Sequence, residues 1–129
     1  MILEVQILGW AALLAVAQLF LFAVPANLQL GSHYLAGPRD ERCELSGVAA
    51  RLQRAFLNHV EGLVIFTAAV VVVALGDASS AVTRGCAILY LVARVAYVPV
   101  YALGLRWIRS AVWAVGFLAT LVMILAALL

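Results

Sequence analysis

The stretch Val5–Val24, VQILGWAALLAVAQLFLFAV, runs for 20 residues without a charged side chain. A helix of about 20 apolar residues is long enough to cross the hydrocarbon core of a bilayer, which is about 30 Å thick. A cleaved signal peptide is the alternative. However, the run is longer than the apolar part of such a peptide, and only the acidic Glu4 precedes it where basic residues belong. The stretch therefore predicts a first transmembrane helix.

Three further apolar stretches follow, and polar or glycine-containing segments separate them. The four predicted spans cover about residues 5–28, 47–75, 81–104 and 108–128. The segment up to Glu44 contains Gly37-Pro38 and several charges, so it is predicted to be a polar loop. Spans joined by short connections pack most simply as an antiparallel bundle. The sequence thus predicts one all-α domain, residues 1–129, that forms an integral membrane four-helix bundle.

The composition excludes most other classes of protein. Of the 129 residues, 67% are hydrophobic and 11% are charged, and the mean hydropathy is +1.16. Soluble domains are about half apolar and about a quarter charged. The net charge of +2 is too small to indicate a nucleic-acid partner. Cys43 and Cys86 have no metal-ligand spacing, so no metal site is expected.

The arginines predict the orientation in the membrane. One face of the bundle, which carries the first and third loops, holds Arg39, Arg42, Arg51, Arg54, Arg106 and Arg109, whereas the other holds Arg84. Basic residues that flank spans stay in the cytoplasm, so both termini are expected on the opposite side. The absence of lysine and the abundance of alanine, valine and arginine favour a bacterial inner membrane.

The second span carries a polar stripe, here called the arginine ridge: Arg51, Arg54, Asn58 and Glu61. These residues recur at spacings of three, four and three. At about 100° per residue they fall within an arc of about 80°. His59 lies about 100° away from this ridge and is expected at the lipid or headgroup surface.

The third span carries a second stripe, here called the tyrosine ridge: Tyr90, Arg94, Tyr97 and Tyr101. Its spacings of four, three and four place it within an arc of about 60°. Two stripes of this kind on neighbouring helices can face one another. The two ridges are therefore candidates for the opposite walls of one polar pocket.

Depth estimates support that arrangement. At about 1.5 Å of rise per residue, Glu61 lies about 21 Å and Arg94 about 18 Å from the non-cytoplasmic ends of their helices. Tyr101 and Arg54 lie near 28 and 32 Å, close to the cytoplasmic boundary. An arginine in mid-membrane costs about 2.5 to 3.5 kcal/mol on insertion scales and needs a partner, for which Glu61 is the candidate. The alternative is an ion pair that only fixes helix register, but it leaves the other ridge residues unexplained.

The ridge chemistry suits a small zwitterion with more than one carboxylate that enters from the cytoplasm. Guanidinium groups bind carboxylates, a carboxylate binds an ammonium group, and arginine with tyrosine can stabilise a thiolate. The apolar helices around the pocket would let a lipophilic second substrate approach from the membrane.

The chain resembles the MAPEG family, the membrane-associated proteins of eicosanoid and glutathione metabolism. The string from Arg51 to Glu61, RLQRAFLNHVE, resembles the family's R-x-x-R-x-x-x-N-x-x-E signature. The string from Arg94 to Tyr101, RVAYVPVY, resembles its R-x-x-Y-x-x-x-Y stretch. The resemblance covers essentially the whole chain and implies a homotrimer that binds glutathione, as co-substrate, between neighbouring subunits near the cytoplasmic boundary.

The resemblance also implies roles for individual residues. One subunit would hold glutathione through Arg51, Arg54, Asn58 and Glu61, and its neighbour would contact it through Arg94, Tyr97 and Tyr101. In family members with transferase activity an arginine after the third helix helps to form the glutathione thiolate. Arg106 and Arg109 bracket that place, so either is a candidate catalytic residue.

Three functions follow as hypotheses. The leading one is a glutathione transferase or peroxidase that acts on lipophilic electrophiles or hydroperoxides. The alternative is a non-catalytic membrane scaffold of the same fold that binds lipid or glutathione. A small transporter would need an ionisable coupling residue in a central span, and Glu61 is already assigned to Arg94.

Overall fold

The computed structural model describes residues 1–41 and 43–129, and every element of regular structure in these ranges is an α-helix. The helices are α1 (Leu3–Leu30), α2 (Ser32–Ala36), α3 (Gly47–Leu75), α4 (Ala81–Ala102) and α5 (Arg106–Leu128). Four of them, α1, α3, α4 and α5, are long and apolar enough to cross a membrane. The predicted all-α membrane fold of four long helices is therefore confirmed. Arg42, which the orientation argument counts, lies outside the described residues.

The helix ends differ from the predicted spans by two residues at several places. Helix α1 extends two residues further at each end, and Pro25 lies inside it. A proline removes one backbone donor, and membrane helices tolerate this loss where neighbours compensate. Helix α4 ends and α5 begins two residues earlier than expected. The short helix α2 interrupts the segment that was predicted to be a plain loop.

Contacts near both ends of α1 show that it runs antiparallel to α3. Near its C-terminal end, the Gln29 side chain donates to the carbonyl oxygen of Ser46 at 3.0 Å and accepts from the Ser46 amide at 3.1 Å. At its start, the carboxylate of Glu4 accepts a hydrogen bond from Ser79 Oγ at 3.0 Å. The start of α1 therefore lies beside the turn that follows α3.

Helix α4 begins with a capping box that also binds α1. Ser80 Oγ accepts from the Thr83 amide at 3.2 Å, and Thr83 Oγ1 accepts from the Ser80 amide at 2.7 Å. The Thr83 hydroxyl in turn donates to Glu4 Oε1 at 2.5 Å. Since Glu4 is 0% exposed, this carboxylate ties the start of α1 to the start of α4 inside the protein.

The apolar core fills the half of the bundle nearer the α3–α4 turn, which we call the Asp77 end. Its buried members are Ile7, Ala11, Phe66, Ala69, Val70, Val73, Ala87, Tyr90, Ala119 and Met123. The rings of Phe66 and Tyr90 stack with their centroids 3.9 Å apart. The other half, nearer the α4–α5 turn, is called the Arg106 end. The apolar core therefore lies in the half of the bundle opposite the Arg106 end.

Candidate functional site

Two arginines of α3 bond to the end of α4. Arg51 Nε donates to the carbonyl oxygen of Ala102 at 2.9 Å, and Arg54 Nε donates to Tyr101 Oη at 3.1 Å. In the turn that follows, Gly104 has a φ of 72°, a left-handed conformation that favours glycine. Arg54 and Tyr101, which the depth estimate places at similar heights, are therefore in direct contact.

Tyr101 lies between cationic side chains from two helices. The Cζ atom of Arg109, on α5, lies 4.9 Å from the Tyr101 ring centroid, and that of Arg54 lies 5.9 Å away. The Tyr97 ring meets the Tyr101 ring edge-on at 5.5 Å. Such cation–π and aromatic contacts hold the ring in place without using up the guanidinium hydrogen-bond donors. The end of α4 thus forms an aromatic wall between α3 and α5.

Arg94 is buried, with 4% of its surface exposed, and its partners are uncharged. Its Nη1 donates to Asn58 Oδ1 at 3.0 Å, its Nε donates to His59 Nδ1 at 3.2 Å, and its Cζ lies 4.6 Å from the Tyr97 ring centroid. The expected ion pair with Glu61 is wrong, because no carboxylate in the described part of the chain pairs with Arg94. The two residues match in height, but the Glu61 side chain is exposed whereas Arg94 points into the bundle.

His59 also differs from its predicted position. It is 1% exposed, and its Nε2 lies 2.8 Å from the carbonyl oxygen of Ala11 on α1. The face of α3 that lies about 100° from the arginine ridge meets α1 and α4 instead of lipid. Sequence pattern on α3 alone carries no signal for this burial, because the neighbouring helix decides it.

Three cavities follow one another along the groove between α3, α4 and α5. The outer cavity, of about 210 Å³, is lined by Arg51, Arg54, Tyr101, Arg106 and Arg109 together with Gly104 and Leu105. The middle cavity, of about 430 Å³, shares Arg109 with the outer one and is also lined by Asn58 and Tyr97. The inner cavity, of about 240 Å³, shares Asn58 with the middle one and includes Glu61 and Arg94. The groove therefore brings together all nine residues that the sequence selected.

The outer cavity is strongly cationic. Four guanidinium groups line it, and none of the described residues in its wall is acidic. Arginine presents planar pairs of donors that match the two oxygens of a carboxylate. This end of the groove can therefore hold a ligand that carries carboxylates.

The two candidate catalytic arginines differ in their surroundings. Arg109 is half-buried and lines both the outer and the middle cavity. Arg106 is exposed and lines only the outer cavity. Of the two, Arg109 has the closer access to the interior of the groove.

Two further aromatic residues line the groove, although the sequence assigned them no binding role. Tyr90 borders the inner cavity, is 2% exposed, and lies so near Gly62 that a Cβ atom there would be 3.5 Å from its hydroxyl. Its place on the tyrosine ridge was the available signal. Trp113 lines the middle and inner cavities and stacks on Phe117, with the ring centroids 5.3 Å apart. Nothing in its local sequence distinguishes it from a lipid-facing tryptophan.

The fold and the groove define a class: multi-pass α-helical membrane proteins with an arginine-lined site inside the bundle. The chain belongs to the MAPEG family, whose sequence profile matches residues 7–129. This family is related to glutathione chemistry, and the match confirms the resemblance found in the two motifs. Comparisons with curated proteins and with solved structures give no match. Among the described residues, no group of histidine, cysteine, aspartate and glutamate could hold a metal ion.

Proposed function

We propose that the protein binds glutathione in the groove between α3, α4 and α5 and transfers it to lipophilic electrophiles or uses it to reduce lipophilic hydroperoxides. The observation that carries the proposal is the cationic outer cavity, which continues through the middle cavity to Glu61. Membership of a glutathione-related family supports the same ligand.

The charged and polar groups of glutathione match the side chains that line the groove. Glutathione carries two carboxylates, one ammonium group and one thiol. Arg51 and Arg54 supply guanidinium donors for a carboxylate, Asn58 supplies an amide, and Glu61 supplies the counter-charge for the ammonium group. The wall residues from α4, namely Arg94, Tyr97 and Tyr101, complete the binding set.

Arg109 is the better candidate for the group that forms the thiolate. A free thiol has a pKa of about 8.5, so a guanidinium beside the sulfur raises the nucleophilic fraction at neutral pH. The thiolate sulfur then forms a bond to the electrophilic carbon of the second substrate, and the leaving group departs with the electron pair. The half-buried position of Arg109 suits this role better than the exposed position of Arg106. The second substrate enters from the bilayer.

We propose a homotrimer because the groove of one chain is incomplete. Arg54 and Glu61 are exposed on α3, although Glu61 lies about 21 Å into the membrane. A charged side chain at that depth needs a protein partner or a polar cavity, because lipid solvates it poorly. A neighbouring subunit packed on this face supplies that cover, so that glutathione in the groove of one chain is also contacted by the tyrosine ridge of the next.

The proposed setting is a bacterial inner membrane, with the Arg106 end in the cytoplasm and both termini outside it. Five described arginines lie toward this end, Arg39, Arg51, Arg54, Arg106 and Arg109, whereas Arg84 lies at the other. A cytoplasmic outer cavity would give glutathione access from the cytoplasm.

The test uses the full chain in lipid nanodiscs. Calorimetric titration is expected to detect glutathione binding, which Arg54→Ala and Glu61→Gln weaken. The control Arg84→Ala changes an exposed arginine at the Asp77 end and is expected to bind as the wild type does. A panel of lipophilic electrophiles and hydroperoxides then tests turnover. Binding without turnover supports the scaffold alternative, and no binding overturns the proposal. Light scattering should give the mass of three chains.

A further inference from the structure

His59 joins three helices inside the bundle. It stands on α3, its Nε2 lies 2.8 Å from the Ala11 carbonyl oxygen on α1, and its Nδ1 lies 3.2 Å from Arg94 Nε on α4. At 1% exposure it cannot touch a ligand in the groove, and it lines none of the cavities there. Its two ring nitrogens are both engaged by protein groups.

The two neighbours of the ring determine its protonation state. A carbonyl oxygen can only accept, so the Nε2 that faces Ala11 carries the proton. A guanidinium N–H can only donate, so the Nδ1 that faces Arg94 carries the lone pair. The ring is therefore the uncharged Nε2–H tautomer, and a proton on Nδ1 would set two donors and two positive charges against each other.

Arg94 depends on His59 Nδ1 as a hydrogen-bond acceptor more strongly than an exposed arginine would depend on a single protein acceptor. In the described part of the chain its hydrogen-bond acceptors are the side chains of Asn58 and His59, and the buried Nη2 makes no hydrogen bond. A planar guanidinium is fixed in orientation when Nε and one Nη are both bonded, and it can rotate when only one of them is. Removal of His59 therefore leaves the guanidinium with one hydrogen bond, to Asn58, and free to turn in its own plane over the Tyr97 ring.

We infer that His59 is a positioning residue: by accepting the Arg94 Nε–H at Nδ1, it fixes the guanidinium in the orientation that binds ligand, with α1 holding the ring. The inference rests on the proposed glutathione site for its functional consequence. His59 contacts Ala11 on α1 and Arg94 on α4. The first transmembrane helix therefore contributes to a groove that α3, α4 and α5 form.

Nuclear magnetic resonance tests the inference without glutathione. In a His33→Gln background, ¹⁵N-histidine labelling leaves His59 as the labelled imidazole. The expected spectrum shows one protonated nitrogen, Nε2, and one unprotonated nitrogen, Nδ1. In a separate sample labelled with ¹⁵N-arginine, the Arg94 Nε–H signal, assigned by its loss in Arg94→Lys, is expected to move in His59→Phe and to stay in His59→Asn. A Nδ1–H or doubly protonated ring, or an Arg94 signal indifferent to His59→Phe, overturns the inference.

Binding measurements separate positioning from simple packing, because two substitutions each keep one of the two bonds. His59→Asn places an oxygen near the Nδ1 position and keeps the acceptor for Arg94. His59→Gln reaches the Nε2 position and keeps the bond to α1. Glutathione affinity is expected to stay within about twofold in His59→Asn and to fall about fivefold or more in His59→Gln and His59→Phe, as the loss of one hydrogen bond predicts.

The melting temperatures of the same variants show whether a loss of glutathione affinity follows a loss of stability. If affinity follows the melting temperature across the three variants, or if His59→Gln binds as the wild type does, His59 has only a packing role. If the wild-type protein binds no glutathione, the proposed function fails, and the Arg94 signal in His59→Phe and His59→Asn alone decides whether His59 orients the guanidinium.

Discussion

Arg54 Nε donates a hydrogen bond to Tyr101 Oη across 3.1 Å and so joins the start of α3 to the end of α4. Both side chains line the outer cavity. In the described part of the chain only Nε of Arg54 bonds to protein, so its two terminal nitrogens stay available for a carboxylate. The bond therefore orients Arg54 without consuming the donors that a ligand needs.

Tyr101→Phe removes this bond and is expected to weaken glutathione binding about fivefold, the usual effect of one lost hydrogen bond. Calorimetry in nanodiscs measures the change. Tyr34→Phe is the matched control, since Tyr34 lines none of the three cavities of the groove and its hydroxyl donates to the Glu41 carbonyl oxygen at 2.6 Å. Equal affinities for the two variants would show that the Arg54–Tyr101 bond has no part in binding.

Arg109→Ala is expected to abolish the ultraviolet absorbance of bound glutathione thiolate, whereas Arg106→Ala keeps it. The physical reason is position: Arg109 is half-buried beside the middle cavity, and a guanidinium stabilises a thiolate more strongly where water is excluded. Difference spectra at saturating glutathione check this. The assignment is reversed if only Arg106→Ala loses the signal, and a full signal in both variants removes Arg106 and Arg109 from the role.

The sequence predicted the four long helices because few structures other than a spanning helix accommodate about 20 apolar residues in succession. It also placed Arg54 and Tyr101 at similar heights, since rise per residue and antiparallel packing determine height. Both inferences concern a single axis, the membrane normal. Along that axis composition and spacing are sufficient.

The sequence did not predict which helix covers each face. In lipid the outer surface of a bundle is as apolar as its interior, so hydrophobic pattern does not separate buried faces from lipid-facing ones. Glu61 and Arg94 therefore matched in height and line the same cavity, yet Glu61 is exposed and Arg94 is buried against Asn58 and His59. His59 was placed at the surface for the same reason, although α1 and α4 enclose it. Rotation about the helix axis is the information that the sequence pattern lacked.

Mixed trimers test whether two subunits share each site. Glu61→Gln and Tyr97→Phe each alter one of the two ridges and are expected to weaken binding when present in all three chains. Random coassembly of the two variants restores both wild-type ridges at about a quarter of the interfaces of a cyclic trimer. Glutathione titration of the coexpressed protein should therefore recover about that fraction of high-affinity sites. Recovery of none indicates that each site lies within one chain.

Thr83→Val should destabilise the fold by about 1 to 2 kcal/mol, because it removes both the shortest hydrogen bond of the fully buried Glu4 carboxylate and the capping-box bond from the Ser80 amide. Glutathione affinity should not change, since this contact lies at the Asp77 end. Thr67→Val is the control: the Thr67 hydroxyl bonds to the Leu63 carbonyl oxygen one turn back in its own helix, a bond that contributes little. Thermal unfolding in detergent compares the two, and equal melting temperatures would rule out the Glu4 anchor.

Gln18→Leu is expected to stabilise the protein by about 1 to 3 kcal/mol, the cost of a buried polar group without a partner. Gln18 is 2% exposed in the middle of α1, and within the described residues neither Nε2 nor Oε1 has a hydrogen-bond partner. Leucine is similar in size and carries no polar atoms. Gln6→Leu, at an exposed position on the same helix, is the control and should change the melting temperature little. Because Gln18 is enclosed within one chain, trimer assembly cannot supply the missing partner. A lower melting temperature for Gln18→Leu would therefore mean that an internal water or ion satisfies the amide.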